Sequence, residues 1–456
     1  MNAGFDPDHH YYDLRTAYYG QGWFQQYDGG NMDGFCEMVI QGQCVQYSYV
    51  QASDVQPYMQ IAKTYSFANY FFQTNEGPSF PAHLFLFSGT SAPTYPNDSN
   101  NFFLDFVAEN YSSGGCLDLQ PVALWVDPLG TEHSTFPQGW PGDCYTHDSL
   151  VTNVNGGKGV SWRYYLPVGG MGVWNAPGAL SEICLPLIFN QQTGQWQCNG
   201  AVYTEHVVAG QSGQGQSAPI LTDIQTCALK DISWVIPASV WSDHPGWGSD
   251  TPAYGPSWVG DIVDAVGQAN NCDGTGYWND TAIFIVWDDW GGFFDHVSPT
   301  PYPNEWRTTQ QGCLAPNAWG CGYVYGFRVP LLVVSAYTGV YKDGTYSGYV
   351  SGACALGSCP NNVFPYVHDF GSILSFIEWN FKMQPIDQSG DNGYADYNAP
   401  DWGPLRTNIP LSDFFNLSTP RPFTSITYQY NAQFFQNYYY NHPSYTPTGP
   451  DGGPDD

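Results

Sequence analysis

The run from Ile283 to Val297 holds the densest group of reactive side chains in this chain. An apolar strand, Ile283-Phe284-Ile285-Val286-Trp287, ends in Asp288-Asp289; Gly291-Gly292 and Asp295-His296 follow. A buried strand gains nothing from paired acids at its tip, because an anion taken from water is costly until something neutralises it. A metal ion does so most simply, and carboxylates are hard oxygen ligands for one. Ligand sites in open α/β sheets also lie just past the carboxyl ends of strands. The bland alternative is a solvated turn after a strand. The glycine pair, which admits close backbone approach, and the further Asp and His favour half of a metal site.

Ser79 stands in Glu76-Gly77-Pro78-Ser79-Phe80-Pro81-Ala82-His83. A serine after a rigid Gly-Pro turn, opening a helix, would hold its hydroxyl near backbone donors and the positive helix end. That suits a nucleophile toward phosphorus, with a metal lowering the hydroxyl pKa. An ordinary N-cap serine fits the local residues equally well. No G-x-S-x-G elbow occurs, which argues against an α/β-hydrolase triad. His244, in Ser242-Asp243-His244-Pro245, would project from another strand end. His9, in Asp6-Pro7-Asp8-His9-His10, and His206, in Thr204-Glu205-His206, are further candidates. A lone His is more often a satisfied surface or core residue than a ligand. The stretch from Asp387 to Asp396 has a loose calcium-loop look but lacks a twelfth-position Glu, so an Asx-turn-rich loop is the better reading.

The elements that must position these groups read as follows. Residues 55–73 have helical spacing, ended by Gly77-Pro78. His83 to Gly89 is a helix start or a short buried strand. Residues 232–237, 282–287 and 329–335 are apolar strands; 254–270 and 372–381 are helices. Strands apolar throughout, alternating with helices, imply an α/β fold with a mostly parallel central sheet covered on both faces. Residues 92–222, rich in Gly, Pro, Asn and half-cystines, read as loop-rich, disulfide-stapled insertions. The domain then covers 1–425, and 426–456 forms a Tyr-, Asn- and Pro-rich tail that packs on it or mediates assembly, its last residues disordered.

Composition narrows the function. Lys and Arg number 11 against 41 Asp and Glu, a formal charge of −30. Such a surface repels nucleic acid and anionic headgroups, so a polyanion-binding role is rejected. Charged residues are only 11 %, against roughly 25 % in an average soluble domain, which leaves few cations to repel one another in acid and suggests acid tolerance. The 12 cysteines fall into near neighbours: Cys36/Cys44, Cys116/Cys144, Cys184/Cys198, Cys227/Cys272, Cys313/Cys321 and Cys354/Cys359. Sequential pairing is the simplest disulfide pattern, although spacing alone does not fix it. Sequons at Asn97, Asn110, Asn279 and Asn416 join the cysteines in favouring an extracytoplasmic location. No stretch is long and apolar enough to span a membrane.

The segment Trp287-Asp288-Asp289-Trp290-Gly291-Gly292-Phe293-Phe294-Asp295-His296-Val297 resembles the signature of the bacterial phosphoesterase family of acid phosphatases and phosphatidylcholine-type phospholipases C, within the alkaline-phosphatase superfamily. Asp6-Pro7-Asp8-His9, Asn31 to Phe35, Gly77 to Pro81, Ser233 to Val235, Asp243-His244-Pro245, Gly326 to Pro330 and His368 to Leu374 also resemble its motifs, in order, over about residues 5–425. The resemblance implies an alkaline-phosphatase-like core. It implies Ser79 as nucleophile through a phosphoseryl intermediate, and Asp288 and Asp289, with Ser79, as ligands of a divalent metal (Ca, Mg, Mn, Fe or Zn). It suggests His9 and His244 as groups that contact the phosphate or protonate the leaving oxygen, and His296 more weakly. Its substrates would be small phosphate esters or phospholipid headgroups. Family members begin with an apolar strand and a Glu-Asn-x-Ser-Phe-Asp segment that complete the sheet and site; here that strand is expected to be missing or supplied elsewhere. Ala82 replaces the family's usual Asn. Two other readings stay open: a catalytically inactive scaffold with an extracellular, self-assembling structural role, and a sulfatase- or nuclease-like variant of the same core.

Overall fold

The computed structural model describes residues 23–36, 39–91, 103–107, 115–117, 123–126, 132–133, 144–152, 160–167, 174–191, 194–210, 219–245, 251–269, 272, 274, 276–299, 325–340, 344–352, 367–386 and 410–441. The elements that build the site are, in chain order, the hairpin β1 (Val39–Ile40) and β2 (Gln43–Cys44), α1 (Gln56–Thr64), β3 (Ser66–Ala68), α2 (Ser79–Ser88), β4 (Trp162–Leu166) and β5 (Val207–Ala209). They continue with β6 (Ile232–Val235), α3 (Tyr254–Gln268), β7 (Ala282–Val286), β8 (Leu331–Ser335), β9 (Tyr349–Ser351), α4 (Phe370–Phe381) and α5 (Ala432–Asn441).

The class is α/β, with two sheets around the site. One is parallel, in the order β5-β4-β6, with Tyr165 opposite Val208 and Tyr164 opposite Trp234. The other runs β7-β8-β3-β9. There β8 is antiparallel to both neighbours, pairing Ile283 with Val334 and Leu331 with Ala68, while β9 is parallel to β3. A mostly parallel arrangement was the expectation; the described strands mix directions. The reason is physical. An unbroken apolar run such as Leu331-Leu332-Val333-Val334 signals burial on both faces, and burial does not encode direction.

Two local readings change. The helix expected over 55–73 stops at Thr64. Arg421 takes the Thr64 carbonyl and lies over the Tyr65 ring, and the chain then enters β3, where the Ser66 hydroxyl donates to the Val333 carbonyl. The middle strand of the parallel sheet, β4, comes from inside the segment read as insertion. Its Arg163 interrupts the apolar pattern, but the guanidinium is paired with Asp223, which removes the cost of placing it on a strand.

Helix α2 is buried on nearly every side, as a helix between two cores must be, with Ser79 and His83 its polar face. Phe80, Leu84 and Phe87 pack with Tyr164 and Leu374 on one side. Ala82 and Phe85 pack with Phe71, Leu331 and Phe370 on the other. Gly89, at φ +72°, ends the helix in the left-handed conformation that glycine adopts without strain. Ile426 is buried beside Val263, and Phe435 and Tyr438 of α5 pack against Trp241 and Trp258. Residues 442–456 lie outside the described residues.

Four of the expected disulfides form: Cys36–Cys44, Cys116–Cys144, Cys184–Cys198 and Cys227–Cys272. The other four cysteines lie outside the described residues, as do Asn97, Asn110 and Asp387 to Asp396. No described helix is long and apolar enough to cross a membrane.

Candidate active site

The strand β7 delivers Asp288 and Asp289 to the wall of a cavity of about 1280 Å³. His83, Asp243 and His244 line the same cavity. Both β6 and β7 border it, and among the described residues neither has a partner on that edge.

Ser79 opens α2 directly after Pro78. Pro78 fixes the backbone there and lacks an N–H, so it starts a helix without losing a bond. The preceding Gly77 carbonyl accepts two side-chain amides, Gln73 Nε2 at 2.6 Å and Asn75 Nδ2 at 3.0 Å. These donors clamp the turn from below. Gly326 passes so close that a Cβ there would fall 2.2 Å from the Asn75 carbonyl oxygen. The Ser79 hydroxyl does not cap its own helix. It donates instead to Asp289 Oδ2 at 3.2 Å, in a buried setting. Asp289 Oδ1 accepts the Gly291 N–H at 2.7 Å, a bond made possible by the left-handed Gly291 (φ +58°).

One helical turn further on, His83 faces the other acid. Its Nε2 lies 3.3 Å from Asp288 Oδ2, an ion pair when the imidazole is protonated. Its Nδ1 lies 3.3 Å from the Tyr164 hydroxyl, which itself donates to the Trp174 carbonyl at 2.6 Å. The phenol proton is thus committed to Trp174, and the Tyr164 oxygen accepts from His83 Nδ1–H. Burial pushes the Tyr164 phenol far above its ordinary range, so it stays protonated. Trp174 stacks on His83 at 6.1 Å between centroids and lies 6.4 Å from the His244 ring.

His244 Nδ1 lies 2.7 Å from the Pro245 carbonyl, which can only accept. The Nδ1 proton therefore points at Pro245, and Nε2 is the ring nitrogen left for other partners. Beside it, Asp243 holds φ +68° and accepts the Tyr58 hydroxyl at 2.7 Å. Burial pushes this carboxyl up to about 7, against the anion-favouring hydrogen bonds from Tyr58 and Trp287.

The remaining sequence candidates fall elsewhere. His9 lies outside the described residues. His206 stacks on Trp162 at 4.4 Å and contacts its carbonyl; His296 is exposed beside Asp295; neither lines the cavity. Asp295 is held by one edge of the Arg328 guanidinium, Nε donating to Oδ2 at 2.9 Å and Nη2 to Oδ1 at 2.7 Å. Among the described residues no three His, Cys, Asp or Glu side chains converge as a metal-binding group. The sequence reading missed His83, Tyr164 and the Gln73–Asn75 clamp. The signal for His83 was present: four residues after Ser79 on a helix is the same face.

Residues 2–384 match the Phosphoesterase family, and the chain belongs to it. Among characterised relatives it is 25 % identical over 424 residues to the non-hemolytic phospholipase C of Burkholderia pseudomallei, a match covering 88 % of this chain and 49 % of that protein. It is 35 % identical over 234 residues to phospholipase C B of Mycobacterium tuberculosis, covering 48 % and 40 % respectively. It is 21 % identical over 351 residues to the hemolytic phospholipase C of Pseudomonas aeruginosa, covering 74 % and 40 %. The chain spans half or less of the length of these relatives.

Proposed function

We propose that this protein is a secreted, metal-dependent phosphoric ester hydrolase, an acid phosphatase or phospholipase C-like enzyme, that works through Ser79. Family membership supports the reaction class. The observation that carries the rest is the buried Ser79 hydroxyl held 3.2 Å from Oδ2 of Asp289, a residue that lines the cavity. Ser79, Asp288 and Asp289 would hold the ion, since a hydroxyl and two carboxylates are the hard oxygen donors such a cation takes. When bound, the ion supplies Lewis acidity that favours the serine alkoxide and takes up phosphoryl charge.

The residues then divide the work. The Gly77 clamp and the helix start hold Ser79 Oγ for in-line attack. Its proton leaves along the hydrogen bond to Asp289 Oδ2 as the Oγ–P bond forms and the ester P–O bond breaks. His244 Nε2 protonates the departing oxygen. Water then cleaves the Oγ–P bond, giving phosphate; its proton goes to His244, and Ser79 recovers its own. His83, on the same face of α2 as Ser79, holds Asp288 in place.

In the same reading, the open edges of β6 and β7 are where the resemblance implies a further strand of an alkaline-phosphatase-like sheet, either missing or supplied elsewhere; intact mass and N-terminal sequencing of the native protein distinguish the two.

The mechanism is tested with p-nitrophenyl phosphate. Ser79→Ala and Asp288→Asn are each expected to abolish turnover; wild-type rates in either variant would end the proposal.

A further inference from the structure

The surface beside the cavity mouth has an unusual chemistry. The hairpin β1–β2 turns through Gln41 and Gly42, both at positive φ (50° and 81°), and the Cys36–Cys44 disulfide staples its base. Val39 is 58 % exposed and Ile40 38 %. Tyr47, Tyr49 (88 % exposed) and Phe294 are exposed as well. From Met38 to Ser53 the chain carries no charged side chain, in a protein of net charge −30.

This patch is continuous with the site. The Phe294 N–H donates to the Gln46 carbonyl at 2.9 Å, and its ring lies 4.7 Å from Tyr47 and 5.3 Å from the buried Phe35. Phe294 also borders the cavity that Asp288 and Asp289 line.

We propose that this hairpin and its tyrosine rim form a docking surface for the interface of a zwitterionic phospholipid membrane. The inference rests on the phosphoesterase reading only for what the docking would serve: presenting a lipid ester to Ser79. Two features favour a lipid interface. The exposed side chains are aliphatic (Val39, Ile40) and tyrosine (Tyr47, Tyr49), types that suit the acyl region and the headgroup level respectively. The neutral stretch is also where a chain this acidic can approach a membrane, and zwitterionic lipid imposes no charge repulsion.

The test is co-sedimentation of the full chain with phosphatidylcholine vesicles, with p-nitrophenyl phosphate turnover followed separately. Wild type is expected to bind, with binding unchanged in high salt. The triple variant Val39→Ser, Ile40→Ser, Tyr49→Ser should bind about tenfold less, while keeping its melting temperature and its turnover of the soluble ester. Wild type that fails to bind, a triple variant that binds equally well, or binding abolished by salt overturns the proposal. Loss of all turnover with vesicle binding intact would instead strike the hydrolase reading alone.

Discussion

Ser79 and His83, one turn apart on the same buried helix, reach two consecutive acids from a distant strand: Ser79 Oγ meets Asp289 Oδ2 at 3.2 Å and His83 Nε2 meets Asp288 Oδ2 at 3.3 Å. Residues i and i+4 share a helix face, whereas adjacent strand residues point to opposite sides. The match works because β7 has already ended at Val286, so the aspartates sit in a turn where both can face α2.

His83→Gln is therefore expected to lower kcat toward p-nitrophenyl phosphate by about 10²-fold, the usual scale for one acid–base or charged group. KM should change little. An unchanged kcat in steady-state assays means that His83 only fills space.

The clamp on Gly77 makes a second prediction. Asn75→Ala and Gln73→Ala each remove one donor from that carbonyl, and misplacement of a nucleophile by about 1 Å can cost about 10²-fold. The double variant should lose kcat on that scale and about 1–3 kcal/mol of stability. Thermal unfolding beside kinetics separates the two. A variant with lowered stability but full kcat shows that the turn holds itself.

Asp243 predicts a pH effect on stability. Its folded-state pKa of about 7 lies above the ordinary 3.8. Its contribution is full below pH 3.8 and is lost as pH rises through 7. Buried His147 has the opposite sign: lowered to about 4 from 6.5, it costs stability as pH falls from 6.5 toward 4. Asp243→Asn should leave the His147 slope and remove the other. Melting temperatures of variant and wild type should converge near pH 4 and separate at pH 8, with the variant higher. Parallel curves across that range rule out Asp243 as the source.

Chelation probes the metal assignment. Dialysis against a chelator should abolish phosphatase activity, and one divalent ion among Ca, Mg, Mn, Fe and Zn should restore it. The melting temperature should also rise with added ion, since binding to the folded state alone stabilises it. Full activity after exhaustive chelation removes the metal from the mechanism.

Much of this was legible in the chain itself. The pair Asp288-Asp289 after an apolar strand marks a place where burial must be compensated, and Gly77-Pro78-Ser79 marks a rigid helix start; both are local patterns with local physical causes. Strands β6, β7 and β8 and helices α3 and α4 follow from apolar period for the same reason. Other features were decided only by packing across distance. Apolar runs do not state strand direction, so β8 running against β7 and β3 came from the tertiary pairing. β4 was hidden because Arg163 looks unfit for a strand until Asp223 is beside it. Asp295 looks like a ligand until Arg328 takes it. The meeting of Ser79 with Asp289 across 210 residues depends on α2 being wedged between two cores, because a hydrogen bond requires its partners within a few tenths of an ångström and only the packed fold sets that distance.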